Sequence, residues 1–203
     1  METRLAKILS YVLHPLLLPT YATLLSLNLP LFLMYTLNFE AKVWLILLVF
    51  GFTFLLPVSV IVIMVYFRVI KSLEIEQSSQ RTLPLLFAVV SYYALLYLLH
   101  KSGLPAYFLY FIYGALFVLL AGVMINLVYK ISLHSLAWGA AVASIIGISL
   151  KMEIDIPVII ITSILIAGLA GYSRLKLNAH NYTQVYMGFV TGAGIIMVLT
   201  FFL

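Results

Sequence analysis

The sequence predicts an all-α, polytopic membrane protein with six or seven transmembrane helices, and three observations indicate this fold class. Of the 203 residues, 65% are hydrophobic and 8% are charged, whereas about 25% of the residues in a soluble domain are charged. The mean hydropathy is +1.20. Apolar runs long enough to cross a bilayer follow one another along the chain, separated by short polar segments. This composition excludes a soluble enzyme, a disordered protein and a nucleic-acid-binding domain.

The transmembrane helices can be assigned in chain order from these apolar runs. Residues 1–14 place apolar and basic side chains on different faces of a short helix, which predicts an interfacial helix that ends at the His14-Pro15 pair. The predicted spans are 16–36, 41–67, 83–100, 105–129, 135–150, 156–172 and 184–203. In the six-span alternative, either 83–100 or 16–36 does not cross fully.

Small residues recur at helical spacing in two of these spans and predict close helix–helix packing. They are Gly139, Ala143 and Gly147, and again Gly188 and Gly192. Asn126 lies near the end of the fourth span and is expected to form an interhelical hydrogen bond. Seven spans use about 140 residues, so we expect a single membrane-embedded helical domain over residues 1–203.

The charge balance is basic, with eleven Lys and Arg residues against six Asp and Glu residues. In a membrane protein this excess reflects topology and contact with anionic lipid headgroups rather than nucleic acid. The chain contains no cysteine, which excludes disulfides, thiolate metal sites and cysteine nucleophiles. We expect an integral membrane protein of a bacterial inner membrane, in contact with membrane lipids and without a nucleic-acid partner.

Polar residues cluster in three segments of the chain, at 68–81, 130–135 and 172–184. Two predicted spans separate the first segment from the second, and two more separate the second from the third. Because an even number of crossings returns a chain to the same side, all three segments are expected at one membrane face. Glu153 and Asp155 are expected on the opposite face. The shared face gathers cationic and imidazole side chains, namely Arg81, Lys130, His134, Arg174, Lys176 and His180.

Two arginines and two histidines at one membrane face suit a phosphorylated ligand. Arginine forms bidentate hydrogen bonds to phosphate oxygens. Histidine can attack phosphorus as a nucleophile or donate a proton to a leaving oxygen. A site at the membrane surface admits a lipid headgroup while the lipid tail stays among the helices. His14 and His100 belong to none of the three polar segments and are predicted to be interfacial polar residues.

The spacing of the third segment resembles a motif of the phosphatidic acid phosphatase type 2 superfamily. Ser173-Arg174, five residues, His180, three residues and Gln184 is similar to Ser-Arg, five residues, His, three residues and Asp in that family. The resemblance implies that His180 forms a phosphohistidine, with Ser173 and Arg174 at the phosphate. The family's Asp orients the histidine and stabilises its positive charge. Gln184 can accept a hydrogen bond but carries no charge, which implies a weaker nucleophile.

The other two polar segments resemble the remaining motifs of the family. Ser132-Leu133-His134 is similar to the second motif, Pro-Ser-Gly-His, and Arg81 followed by Pro84 is similar to the first motif, Lys, six residues, Arg-Pro. The resemblance implies that His134 protonates the leaving oxygen and later activates water, and that Arg81 holds phosphate oxygens. Ser132 would either donate to the phosphate or cap its helix.

The first motif departs from the family pattern at its lysine. Glu74 stands seven residues before Arg81, and Lys71 is the nearest basic residue. Both are therefore candidates for the substrate-binding position, although the Glu74 carboxylate would repel phosphate unless it pairs with Arg81 or Lys71. The resemblance covers residues 68–192. Within the third segment, Asn178 is expected to be the N-cap of the last helix.

The resemblance implies a lipid phosphate or pyrophosphate phosphatase that works by two in-line phosphoryl transfers, without metal or another cofactor. Its substrates would be phosphatidate, phosphatidylglycerol phosphate or a polyprenyl pyrophosphate. Three alternatives remain. The first is a non-catalytic member of the family that binds lipid phosphate, which the missing Lys and Asp favour. The second is a phosphotransferase that uses a lipid alcohol, and the third is a small transporter, which is disfavoured because no span carries a charge at mid-depth. The positive-inside rule places the polar face in the cytoplasm, whereas family members usually act on the outer face.

Overall fold

The computed structural model describes residues 2–29, 35–72 and 78–202. Within these ranges the elements are helices, and no β-strand is present. The helices are α1 (Glu2–Val12), α2 (Leu18–Asn28), α3 (Phe39–Phe50), α4 (Leu56–Tyr66), α5 (Ser78–His100), α6 (Ala106–Val128), α7 (Leu133–Met152), α8 (Pro157–Lys176) and α9 (Tyr182–Phe202). A 3₁₀ turn (Pro15–Leu17) joins α1 to α2, and a π-helical turn (Gly51–Leu55) joins α3 to α4.

Seven helical stretches within the described ranges are long and apolar enough to cross a membrane. The helices α1 and α2 together form the first stretch, α3 and α4 form the second, and α5 to α9 form one each. The predicted all-α fold is thereby confirmed, and the seven stretches agree in number with the seven predicted spans. The interfacial position of α1 stays a prediction, since its residues are continuous with the first stretch.

The helices α7 and α9 run parallel to each other and pack backbone against backbone. A Cβ atom on Gly192 would lie 1.8 Å from the Leu136 carbonyl oxygen, and one on Gly139 would lie 2.1 Å from the Phe189 carbonyl oxygen. Side chains at these positions would force the helices apart, so only glycine permits the approach. The predicted packing role of the small residues is confirmed for this pair.

Two irregular turns interrupt the first two transmembrane stretches, and they pack against each other. The first is the 3₁₀ turn that follows His14, where Pro15 lacks an N–H and cannot continue α1. The second is the π-helical turn just before Pro57. The Ser91 hydroxyl of α5 donates a hydrogen bond to the carbonyl of Phe52 within that turn. In a bilayer such irregular backbone persists only where side chains or neighbouring helices satisfy it.

The helix α5 begins at Ser78, five residues earlier than the predicted span, and contains Pro84. Arg81 therefore belongs to the first turn of a helix rather than to a loop. The reason is tertiary: Asn126 of α6 donates a hydrogen bond of 3.4 Å to the Thr82 hydroxyl and holds this first turn against its neighbour. This is the interhelical hydrogen bond expected of Asn126.

The N-terminal segment is anchored at the polar end of α7 and α8. The Trp138 indole N–H donates a 3.0 Å hydrogen bond to the Leu13 carbonyl. Leu13 and Leu18 join a buried cluster with Trp138 and Ala170. The helix α1, before the 3₁₀ turn at Pro15, thus packs against α8, and α2, after that turn, packs against α7.

Candidate functional site

The hairpin between α8 and α9 carries the residues of the third polar segment. Asn178 has φ +52°, a left-handed conformation that ends α8, and the next N–H, that of Ala179, donates to the Arg174 carbonyl at 3.1 Å. The N-cap of α9 is Asn181, whose side-chain oxygen accepts the Gln184 N–H at 2.9 Å. The prediction that Asn178 caps α9 is therefore wrong, because its left-handed backbone makes it the terminator of the preceding helix.

His180, which precedes the N-cap of α9, is in direct contact with Gln184 in the first turn of that helix. The Nδ1–H of His180 donates to the Oε1 of Gln184 at 2.9 Å, because an amide oxygen only accepts. The same Oε1 accepts the Asn181 N–H at 3.3 Å, which fixes the orientation of the amide. With the proton on Nδ1, the Nε2 atom of His180 carries the lone pair.

His180 is buried among positive charges. Its side chain is only 8% exposed, and Arg81, Arg174 and Lys130 are close enough to interact with it electrostatically. Burial, followed by these three charges, lowers the pKa of His180 to about 4, although the hydrogen bond to Gln184 opposes the shift. The imidazole is therefore neutral at neutral pH.

The second polar segment is joined to the third by a backbone hydrogen bond. The Ser132 N–H donates to the Gln184 carbonyl at 3.2 Å. The Ser132 hydroxyl is completely buried and accepts the Ser135 N–H at 3.4 Å, so it caps α7. Of the two functions expected of Ser132, the capping function is the one its contacts support.

His134 lies in the first turn of α7 and is held by the N-terminal helix. Its Nε2–H donates to the Ser10 carbonyl at 3.2 Å, since a carbonyl can only accept. The lone pair of this neutral ring is consequently on Nδ1. Arg174, His14 and His180 are all close enough to interact electrostatically with His134.

Arg174 is the common neighbour of the imidazole rings. Its Nη1 donates to the Ser10 hydroxyl at 2.6 Å, and its charge acts on His14, His134 and His180. The adjacent Ser173 is completely buried, and its hydroxyl donates to the Ala170 carbonyl of its own helix at 2.7 Å. To bind phosphate, the Ser173 hydroxyl would have to give up its hydrogen bond to the Ala170 carbonyl and donate to a phosphate oxygen instead.

The first polar segment contributes one buried cation. Arg81 is 8% exposed and acts electrostatically on His180. Lys71 has an exposed side chain, and its backbone N–H donates to the Gln80 side chain at 3.3 Å. The predicted residue Glu74 lies outside the described residues.

Three helices start at this end of the molecule and point their N-termini towards the site. They are α5 with Arg81, α7 with His134 and α9, whose N-terminus follows His180. Helix N-termini carry partial positive charge and favour anions. Among the described acidic residues, Glu2 lies at this end, where it forms an ion pair with Lys176. Counted over the described residues, the site is therefore positively charged.

Two residues of the N-terminal segment enter the site although the sequence interpretation placed neither there. Ser10 contacts both His134 and Arg174. The His14 ring lies edge-on to the His134 ring with the centroids 5.3 Å apart. The interfacial position of His14 stays a prediction, and the structure adds that its ring, next to the break at Pro15, packs against His134. A histidine directly before a helix-breaking proline was the one available signal.

An apolar cavity of about 360 Å³ adjoins the site and runs along α7. Pro15 and Leu133 line its upper end, next to His14 and His134, and Ile148 lines its lower end. Fifteen residues of helix separate Leu133 from Ile148, which corresponds to about 22 Å. The cavity is thus long, narrow and apolar enough to hold a hydrocarbon chain.

The arrangement combines a neutral imidazole with a free Nε2 lone pair, a second imidazole with a free Nδ1 lone pair, and the guanidinium groups of Arg81, which is buried, and Arg174, which is partly buried. It can bind an anion and offer it a nucleophile and a base. In the described part of the chain, no three His, Asp or Glu side chains converge as metal ligands. Comparisons with family models, curated proteins and solved structures found no match for this chain. The geometry of the site is therefore the basis for its interpretation.

Proposed function

We propose that the protein is a lipid phosphate or pyrophosphate phosphatase that works through a phosphohistidine at His180, in the manner of the phosphatidic acid phosphatase type 2 superfamily. One observation carries the proposal. Gln184 orients the Nε2 lone pair of His180 beside the buried Arg81 and the partly buried Arg174, at the end of the molecule where three helices begin. A phosphoryl group is the ligand that uses all of these features.

The first chemical step follows from the protonation states of the two histidines. Nε2 of His180 attacks phosphorus, and the bond from phosphorus to the leaving oxygen breaks. The leaving oxygen receives the proton that a singly protonated phosphate group carries, which the neutral His134 accepts and passes on at Nδ1. The phosphohistidine keeps its Nδ1–H bond to Gln184. Arg81 and Arg174 balance the charge on the phosphoryl oxygens.

The second step restores both histidines. A water molecule attacks phosphorus as Nδ1 of His134 takes one of its protons, and the bond from His180 Nε2 to phosphorus breaks. Nδ1 of His134 then returns this proton to the phosphate, which leaves as the monoanion, and both rings are neutral again. The Ser10 carbonyl keeps the Nε2–H of His134 occupied, so Nδ1 is the atom that transfers the proton.

The apolar cavity supports a lipid rather than a water-soluble phosphate as substrate. Its upper end is lined by Pro15 and Leu133, the chain neighbours of His14 and His134, and its largely apolar wall would contact a hydrocarbon chain over most of the bilayer depth. Each methylene buried there contributes about 0.8 kcal/mol relative to water. The headgroup would then be positioned at His180 by its own tail.

A second function is favoured by Gln184. The side chain orients His180 but carries no charge to stabilise a positively charged phosphohistidine. A protein that binds lipid phosphate without turnover would keep the arginines and tolerate this substitution. Turnover separates the two candidates.

The proposed function can be tested with purified protein in detergent, incubated with phosphatidate, phosphatidylglycerol phosphate or a polyprenyl pyrophosphate. We expect phosphate release from at least one lipid. Binding of lipid phosphate that depends on Arg174, without phosphate release, would establish the non-catalytic candidate instead. Phosphate release that requires an added lipid alcohol would identify a phosphotransferase. Absence of both binding and release would refute the proposal.

Replacing Gln184 by Glu should increase turnover and move the acidic limb of the pH profile. Glu has the shape of Gln but adds a negative charge beside the His180 ring, which raises its pKa from about 4. Since His180 must be neutral to attack, activity in the variant should begin to fall at a higher pH on acidification. At neutral pH we expect about tenfold faster turnover, because the carboxylate stabilises the phosphohistidine. The measurement is kcat/KM from pH 3 to 8.

Gln184→Leu serves as the matched control for this prediction. It keeps the volume but removes the acceptor for His180 Nδ1–H, so the ring is no longer held in one tautomer. Turnover should fall in this variant. Equal activity in both variants would show that residue 184 does not act on His180.

Replacing Ala141 by Phe should impair long-chain substrates selectively. Ala141 lines the apolar cavity on α7, and an aromatic ring there would occupy the space proposed for the lipid tail. We expect KM for a long-chain lipid phosphate to rise about tenfold, while a short-chain water-soluble phosphate ester is hydrolysed at the normal rate. The control is Gly168→Phe on α8, where an added Cβ meets no atom within 4 Å. An equal effect of both variants on long chains would contradict the tail site.

A further inference from the structure

His14 is a third histidine of the site, contributed by a segment outside the three polar clusters. It has an extended backbone (φ −65°, ψ 133°) and caps the 3₁₀ turn, because the Leu16 N–H donates to its Nδ1 at 3.3 Å. A backbone N–H can only donate, so Nδ1 is the acceptor and the ring proton is on Nε2. The cap therefore fixes His14 as a neutral hydrogen-bond donor.

The position of the His14 ring is fixed from two sides. The His134 ring lies at 5.3 Å and 82°, and the Phe54 ring of the π-helical turn lies at 6.5 Å and 81°. Phe54 is in turn stacked on Phe50 at 5.2 Å. Arg174 interacts electrostatically with both His14 and His134. The ring thus stands between an aromatic support and the guanidinium proposed to bind phosphate.

The backbone around His14 is irregular on both helices that hold it. The 3₁₀ turn interrupts the first transmembrane stretch and the π-helical turn interrupts the second. Turns of both kinds are less favourable than α-helix, and π-helical turns occur mostly at functional sites. Because the two turns meet at this ring, their joint effect is to hold His14 against the site.

His14 and His134 present complementary atoms. His134 uses its N–H on the Ser10 carbonyl and keeps an open lone pair, which suits proton transfer. His14 uses its lone pair on the Leu16 N–H and keeps an open N–H, which suits hydrogen bonding to an anion. A neutral imidazole in this state is a known kind of electrophilic donor in enzymes.

We propose that His14 binds the phosphoryl group of the substrate through its Nε2–H, as a neutral donor beside Arg174. This inference rests on the proposed function, because it assigns a further contact to the same ligand. It makes the N-terminal segment a part of the binding site rather than a membrane anchor alone. No proton transfer is assigned to His14, since its second nitrogen is occupied by the cap.

The test compares His14→Asn with His14→Phe. Asn is a good N-cap and can still accept the Leu16 N–H, but it is too short to reach the ligand. Phe keeps the ring packing against His134 and Phe54 but has no donor. We expect both variants to bind inorganic phosphate about tenfold to a hundredfold more weakly in calorimetry, as for loss of a hydrogen bond to a charged group.

Kinetics with a lipid phosphate provide the second measurement. Both variants should lower kcat/KM by a similar factor, and the shape of the pH profile should not change, because His14 does not titrate in the mechanism. His100→Asn is the control: His100 lies at the other end of α5, packed against Tyr113. It should bind phosphate as the wild type does.

The outcomes distinguish this inference from the function on which it rests. Phosphate binding at wild-type strength in His14→Asn or His14→Phe would overturn the donor assignment while the phosphatase stands. A shifted pH profile in His14→Asn would make His14 a proton-transfer group and overturn the neutral-donor assignment. Failure of the wild type itself to bind inorganic phosphate and to release it from any lipid would overturn both.

Discussion

Replacing His180 by Ala is expected to abolish phosphate release, with a loss of at least about a thousandfold in kcat. The variant lacks the only imidazole whose free Nε2 lies among Arg81, Arg174 and Lys130 in the described part of the chain. Water would have to attack the phosphorus directly. The measurement is the rate of phosphate release from the best lipid substrate, corrected for the amount of folded protein.

The covalent intermediate gives a sharper readout than the rate alone. A substrate labelled with radioactive phosphate should transfer label to the wild type, in an acid-labile, base-stable form typical of phosphohistidine. The label should be absent from His180→Ala. In His134→Ala the label should form more slowly and then persist, because His134 transfers the proton in the first step and is the base that activates water in the second. Label that persists in His180→Ala would place the nucleophile elsewhere and contradict the mechanism.

Lipid phosphate binding separates a chemical defect from a structural one. Arg81 and Arg174 are intact in His180→Ala, so the variant should bind lipid phosphate with nearly the affinity of the wild type. In Arg174→Ala we expect binding and turnover to fall together, because Arg174 interacts with all three histidines of the site. Loss of binding in His180→Ala would indicate that the site had collapsed, and His180→Asn would then be used in its place.

The convergence of the polar segments could be predicted from the sequence because it depends on topology. An even number of apolar spans separates the segments, and the structure brings Arg81, Lys130, His134, Arg174 and His180 to one end of the bundle. The contact of His180 with Gln184 agrees with the spacing of four residues, but His180 precedes the N-cap Asn181, so the contact forms across the start of α9 rather than along one helical face. Their chemical functions stay predictions.

The contribution of the N-terminal segment could not be predicted in this way. The hydrogen bonds of Ser10 to His134 and Arg174 join residues far apart in sequence, and the amphipathic pattern of α1 indicates only that one face is buried. Likewise, the position of a serine in the sequence does not distinguish a serine that caps a helix from one that binds the substrate. The hydroxyl groups of Ser132 and Ser173 are both engaged by their own helices, because capping and back-bonding need only local geometry.

The helices α7 and α9 approach each other closely at glycine positions, and Gly192→Ala should break the closest of these backbone contacts. The added Cβ would lie 1.8 Å from the Leu136 carbonyl oxygen, which neither helix can avoid by a side-chain movement. We expect the free energy of unfolding to fall by at least about 2–3 kcal/mol, at the upper end for overpacking, because α7 and α9 must separate. The measurement is unfolding in detergent by titration with sodium dodecyl sulfate.

Gly194→Ala on the same helix isolates the steric cause. A Cβ at Gly194 meets no atom within 4 Å, so this variant should gain about 0.5–1 kcal/mol of helix stability. The separation of α7 from α9 in Gly192→Ala should also distort the site, because the Ser132 N–H donates to the Gln184 carbonyl across the same interface. Stretching that bond moves His134 away from His180, so turnover of the folded fraction should fall in Gly192→Ala and stay normal in Gly194→Ala. Equal stability and turnover in the two variants would contradict the view that this glycine contact sets the distance between the two histidines.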